Sequence, residues 1–277
     1  MRPNVLGGGC VHCGMAMRLW DDRVGLLARS GQDFPAELEM QLKQIFIPDG
    51  IIRTDYAQTP HFKQYYRADG TRYETFSSPH EEMLAMLPVP ADLPNAWKSI
   101  HGVHLHCRKE HVADWIDTLK AKGAEIVLWE PIDHFDEVAN RGLFIEYARK
   151  ADVVSPNLAE IRTLTGKYEL EDILSYCHQE GFNKLLLRMG SQGVLVMDEE
   201  GKWFITPPYP ETNILDATGA GNACCGGFIA GLFLTKDLQT ASKYANISSS
   251  LALRQFGAVY PLEPAQQEAL KRLAKFK

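Results

Sequence analysis

The residues best suited to chemistry lie in Asp216-Ala-Thr-Gly-Ala-Gly-Asn222, a short polar turn that runs into a small, apolar stretch. Gly226, Gly227, Ala230 and Gly231, set among Phe228, Ile229, Leu232 and Phe233, predict a buried helix whose small residues allow close packing. At the entry of such a helix the amides of Gly219, Ala220 and Gly221 lack intrahelical acceptors. They point outward with the positive end of the helix dipole, and the small side chains leave them open to a phosphate. Glycines before a helix are common, so the turn alone does not separate a phosphate site from a plain helix entry. Asp216 and Thr218 just ahead of it favour the first reading.

The elements that must position this turn are legible from pattern. From residue 92 onward strands and helices alternate: strand 101–107, helix 110–122, strand 124–130, helix 136–150 and a strand ending at Val154. Such alternation marks an α/β chain with a mostly parallel sheet covered by helices on both faces. Ligands of these sheets gather at the carboxyl ends of the strands, which nominates His106, Cys107 and Glu130 as rim residues. Solvated strand ends account for them equally well. Beyond Pro156, Asn157 and Glu160 open a helix ending near Gly166, in the spacing of a capping box. Residues 184–188 and 194–197 are strands joined by a Met-Gly-Ser-Gln-Gly turn, with a further strand at 203–206. A small-residue helix over 241–253 and a turn at 255–258 follow.

Upstream, the Gly-rich run holding Gly8 and Gly9 leads into an apolar helix. Cys10, His12 and Cys13 have no second pair at finger-like spacing, so cysteines on a buried helix face explain them better than zinc. Residues 24–28 read as a buried strand and 35–44 as a helix. Residues 50–76 change character, with strands over 51–56, 61–67 and 72–76 and an Asp69-Gly70 hairpin turn.

The turn at 216–222 resembles the signature of the ribokinase-like (PfkB) carbohydrate kinases, which reads Asp-Thr-Thr-Gly-Ala-Gly-Asp. The resemblance runs through nearly the whole chain in order. It implies a three-layer α/β sandwich formed by residues 1–49 and 77–277, with residues 50–76 as a small β lid that also serves a homodimer. It implies ATP and Mg2+ as cofactors and a sugar or nucleoside as substrate. Gly219, Ala220 and Gly221 would then form the anion hole for the transferred phosphoryl group. Glu160, with Asn157, would organise the water shell of magnesium, a cation that dehydrates reluctantly. Arg188, where the family has Thr, would meet a phosphate, and Gly190 and Gly193 would shape the nucleotide loop. Asn246 and Gly257 would lie beside the base of the nucleotide, and Gly8, Gly9, His106 and Glu130 beside the substrate.

One position departs. The family's catalytic base is an aspartate, and this chain carries Asn222, an amide that takes up no proton at neutral pH. Two expectations follow: a kinase in which Asn222 only orients the hydroxyl, or a nucleotide-binding pseudokinase acting as sensor or scaffold. If the base was simply lost, Asn222→Asp is expected to raise turnover. The family also places a complete strand before the paired glycines, and the residues ahead of Gly8 are too few for it; either the sheet lacks that strand or the recorded start is internal.

Bulk properties agree with a small-molecule enzyme. A net charge of −6 and the lack of a basic run argue against nucleic acid. No apolar stretch approaches the ~20 residues of a membrane span. The six irregularly spaced cysteines do not form a disulfide framework, which points to a reducing cytoplasm.

Overall fold

The computed structural model describes residues 5–66, 72–76, 78–131 and 138–276. They form two compact units, one from the chain's first 24 residues together with 97–277, the other from 25–96. The first unit opens with α1 (Gly9–Arg18), which begins at the paired glycines rather than after them.

The second unit holds β1 (Ala28–Ser30), α2 (Ala36–Ile45), β2 (Ile51–Arg53), β3 (Phe62–Tyr66), β4 (Arg72–Phe76) and α3 (His80–Ala85). β1 pairs with β2 in parallel, and β3 with β4 as an antiparallel pair. The expected strand at 24–28 shifts to Ala28–Ser30. Val24 and Leu26 are apolar because they are buried, whereas pairing in that stretch is only a single bridge from Gly25 to Ile47. The expected Asp69-Gly70 turn lies outside the described residues.

The first unit continues through β5 (Gly102–Leu105), α4 (Val112–Ala121), β6 (Ile126–Trp129), α5 (Arg141–Lys150), β7 (Val153–Val154), α6 (Leu158–Thr165) and α7 (Leu170–Gln179). It ends with β8 (Leu185–Arg188), β9 (Val194–Met197), β10 (Trp203–Thr206), α8 (Ala220–Thr235), α9 (Leu238–Ala252) and α10 (Leu262–Lys275). The sheet order is β10-β9-β8-β7-β6-β5. β5 to β8 run parallel, and β9 and β10 fold back antiparallel. The fold is the α/β sandwich that the alternation implied.

Strand alternation sorts the core into two faces. Leu128, Val153, Leu186, Val194 and Val196 pack with Phe228, Ile229 and Leu232 of α8 and Ala241 and Ala245 of α9. On the opposite face Trp129 meets Phe144 and Tyr147 of α5, at 5.6 and 5.8 Å between ring centres. Each such large apolar side chain contributes roughly 1.5–3 kcal/mol by leaving water.

α8 runs between α1 and α9, and its glycines permit the approach. A Cβ on Gly226 would sit 2.3 Å from the Cys13 carbonyl oxygen of α1, and one on Gly227 2.5 Å from the Tyr244 carbonyl oxygen of α9. The small residues of this helix are thus needed for packing as well as for its open N-terminus. Among the described residues no helix is long and apolar enough to cross a membrane.

Candidate active site

Because β5 to β8 are parallel, the residues just past their carboxyl ends emerge along one edge of the sheet. There lie His106 after β5, Glu130 after β6, Asn157 after β7 and Arg188 at the end of β8. Backbone bonds hold the edge in step: Glu130 donates to Leu105 O at 3.0 Å, Ser155 to Trp129 O at 2.9 Å and Arg188 to Pro156 O at 3.1 Å.

The entry of α8 faces this edge. Asp216 Oδ1 accepts from the Thr218 amide at 2.9 Å and its hydroxyl at 2.7 Å, an Asx turn that aims the chain into the helix. Gly219 follows with φ 77°. A Cβ there would fall 2.2 Å from the ring of His12, so only glycine fits. The Ala220 amide bonds Ala217 O at 3.3 Å and the Ala223 amide bonds Gly219 O at 2.8 Å. The Gly221 and Asn222 amides between them bond no backbone carbonyl among the described residues. Two donors at a helix N-terminus are therefore available to an anion.

His12 of α1, weighed from the sequence only as a zinc ligand, is 5% exposed, and its Nε2 has no partner among the described residues. Burial lowers its pKa to about 4, against a smaller upward pull from Asp216. It is neutral at physiological pH.

Arg188 and Glu130 form the electrostatic centre. Arg188 Nη1 lies 2.6 Å from Glu130 Oε1, and its Nη2 donates to Ser155 O at 3.0 Å and stands 3.6 Å from Glu160 Oε2. Glu130 Oε2 accepts from His104 Nε2 at 2.6 Å and from Asn222 Nδ2 at 3.1 Å. Burial pushes the Glu130 carboxyl up. The Arg188 charge and the His104 hydrogen bond outweigh it and hold the group well below the usual carboxylate range. Burial also disfavours the Arg188 charge, and Glu130 more than restores it. An acceptor-only carboxylate fixes the Asn222 amide as well: its NH2 faces Glu130, and Oδ1 faces away.

His104, Glu130 and Cys225 offer ligand atoms within 4.8 Å of one another. The guanidinium on Glu130 opposes a cation there, and burial raises the Cys225 thiol above its ordinary pKa, so these groups do not suit a metal ion.

Asn157 and Glu160 form a complete capping box. Asn157 Oδ1 accepts from the Glu160 amide at 2.9 Å, and Glu160 Oε2 accepts from the Asn157 amide at 2.7 Å. The box orients a carboxylate at the same edge as α8's entry, linked to it through Arg188.

Gly8, at φ 95°, accepts the Val11 and His12 amides of α1 on its carbonyl. Gly9 is enclosed: a Cβ would lie 2.9 Å from Asn222 Nδ2 and 3.2 Å from His106 Nδ1. The structure thus brings Gly9, His106, Glu130, Arg188 and Asn222 together. Four predicted residues sit apart from this cluster. Gly190 turns the β8–β9 connection, and Gly193 packs so that a Cβ would meet Thr206 O at 2.2 Å. Asn246, 5% exposed, gives its Nδ2 to Thr206 O at 3.1 Å and Pro207 O at 3.0 Å, bracing the exit of β10. Gly257 lies against Leu6 and Val5. His104 was missed although a strand places it on the same face as His106, two residues on, a signal that period-2 alternation carries.

A mostly parallel sheet with an anion-ready helix entry and carboxylates at its carboxyl edge defines a phosphate-handling α/β protein. Residues 92–265 match the pfkB family carbohydrate kinases, and the chain belongs to that family. It is 25% identical over 256 residues to a cytidine kinase of Thermococcus kodakarensis, covering 92% of this chain and 90% of that protein. Among solved structures it resembles a fructokinase of Vibrio cholerae bound to fructose, ADP and calcium, at TM-score 0.77 and 20% identity over 97% of this chain and 92% of that one. A candidate ribokinase II of Escherichia coli, solved with ATP and Mg2+, aligns at TM-score 0.77 and 17% identity, covering 99% and 90%. These likenesses agree in fold.

Proposed function

We propose that this protein transfers the γ-phosphoryl group of ATP to a hydroxyl of a nucleoside or sugar. The observation that carries the reading is the α8 entry, whose Gly221 and Asn222 amides bond no backbone carbonyl among the described residues and face the sheet edge that holds Glu160, Glu130 and Arg188. Phosphoryl transfer has a loose transition state, so positioned donors and charges do most of the work. The donors of α8 receive the negative charge of the moving group. Arg188 ties the magnesium-side carboxylate Glu160 to Glu130 on the acceptor side. Mg2+, when bound with ATP, neutralises phosphate charge, and the capped Glu160 with Asn157 suits contact through its water shell. Asn222 Oδ1, directed away from Glu130, accepts the hydrogen bond of the attacking hydroxyl.

Identity to a cytidine kinase puts nucleosides first among acceptors, with sugars second. The test is ADP release from ATP with magnesium across a panel of nucleosides and sugars, with ATP binding followed by calorimetry. Acceptor-dependent turnover supports the reading. Absence of ATP binding at millimolar nucleotide would reject it.

A further inference from the structure

We propose that His106 is the proton acceptor for the attacking hydroxyl, in place of the carboxylate missing at position 222. The inference rests on the phosphotransfer reading above. His106 follows β5 at the sheet edge, and its Nδ1 closes over Gly9 beside Asn222 Nδ2; the same glycine Cβ position would contact both atoms. Among the described residues neither of its ring nitrogens is bonded to a protein group. His104, by contrast, is committed to Glu130 at 2.6 Å, and Glu130 to Arg188. His106 stacks on His104 with ring centres 5.8 Å apart, which fixes the plane of the ring.

The charged and titratable groups around His106 are His104 on β5, Glu130 just after β6 and Arg188 at the end of β8. Burial lowers the His106 pKa to about 4, with Arg188 and His104 adding to the fall and Glu130 pulling the other way. The ring is therefore neutral at pH 7, with a lone pair to offer. Its basicity is that of an ordinary aspartate, about 3.9, without the negative charge that would repel the phosphates. Glu130 cannot take the role, because its oxygens already accept from Arg188, His104 and Asn222.

The step balances with ATP as the only co-reactant. The acceptor oxygen bonds the γ-phosphorus while the bond from that phosphorus to the β,γ-bridging oxygen breaks, and ADP leaves with the electron pair. The hydroxyl, positioned by its hydrogen bond to Asn222 Oδ1, turns its proton to His106 Nδ1 as the new bond forms, and Glu130 stabilises the resulting imidazolium. Solvent then removes the proton.

The experiment compares acceptor-dependent turnover of the wild type, His106→Asn and His106→Ala at saturating ATP. Loss of a general base costs typically 10²–10⁴-fold. We expect kcat to fall by about that factor in both variants, with the ATP dissociation constant changed by less than about threefold and the melting temperature retained. Added imidazole should restore turnover to His106→Ala in proportion to its neutral form, a response that loss of a merely structural contact would not show. Wild-type turnover matched by His106→Asn, or a deficit that imidazole leaves untouched, would overturn the assignment while leaving the kinase reading intact. A wild-type chain that binds ATP but phosphorylates no acceptor would overturn both.

Discussion

Asn222 Nδ2 donates to Glu130 Oε2 across 3.1 Å, joining the residue that replaces the family's base to a buried carboxylate 92 positions earlier in the chain. The amide is therefore matched to its surroundings. An aspartate there would face Glu130 as a second acceptor with the same charge.

That contact reverses what the motif alone suggests for Asn222→Asp. Two carboxylates at this separation cannot both ionise easily, so one is driven to bind a proton or the pair is pushed apart. We expect Asn222→Asp to lower turnover and to destabilise the fold by about 1–3 kcal/mol, the usual penalty for a buried polar group left without its partner. Adding Glu130→Gln to that variant should recover part of the stability, since the amide can again donate across the contact. Thermal melts of the two single variants and the double variant form the cycle that measures the coupling. Additive effects would show that the two side chains do not sense each other.

Gly221→Val tests the anion site. The new Cβ would lie 2.6 Å from Arg188 Nη1, and that guanidinium has little room to retreat because Glu130 and the Ser155 carbonyl hold it. The branched side chain would also cover the amides that face the ligand. ATP affinity measured by calorimetry should fall more than about tenfold, equivalent to about 1.4 kcal/mol. An unchanged affinity would place the phosphates elsewhere.

Stability should decline as pH falls from about 6.5 towards 4. His12 is held neutral in the fold, with its pKa lowered to about 4 mainly by burial, while the unfolded chain takes up this proton at its ordinary value of 6.5. Protons therefore favour the unfolded state across that window, by up to about 3 kcal/mol once both values are passed. The depressed Glu130 acts in the same direction at lower pH: its contribution is complete above the ordinary carboxylate pKa and is lost as the group protonates. Denaturation midpoints at pH 7, 6, 5 and 4 read the slope directly. His106, lowered to the same value, adds a like slope, so His12→Leu should roughly halve it between pH 6.5 and 5, and an identical slope in that variant would refute the buried neutral state of His12.

The sequence by itself determined the α/β alternation, the helix entry at Asp216 to Asn222 and the capping box of Asn157 and Glu160. Each of these rests on residues close together in the chain, where turn chemistry, helix period and side-chain-to-backbone bonds act locally. The glycines of α8 were legible as packing residues for the same reason, although which neighbour each one meets was not. Only the tertiary structure decided the contacts of Arg188, Glu130, His104 and Asn222. Arg188 sits where a nucleotide-loop threonine was expected, and sequence offered a phosphate as its natural partner. The fold instead closes it against Glu130 at 2.6 Å, with Glu130 buried and Arg188 largely so. A buried charge must find its counter-charge wherever the parallel strands bring their carboxyl ends together. That meeting joins residues 188, 130, 104 and 222 across long stretches of chain, a distance over which no local pattern carries information.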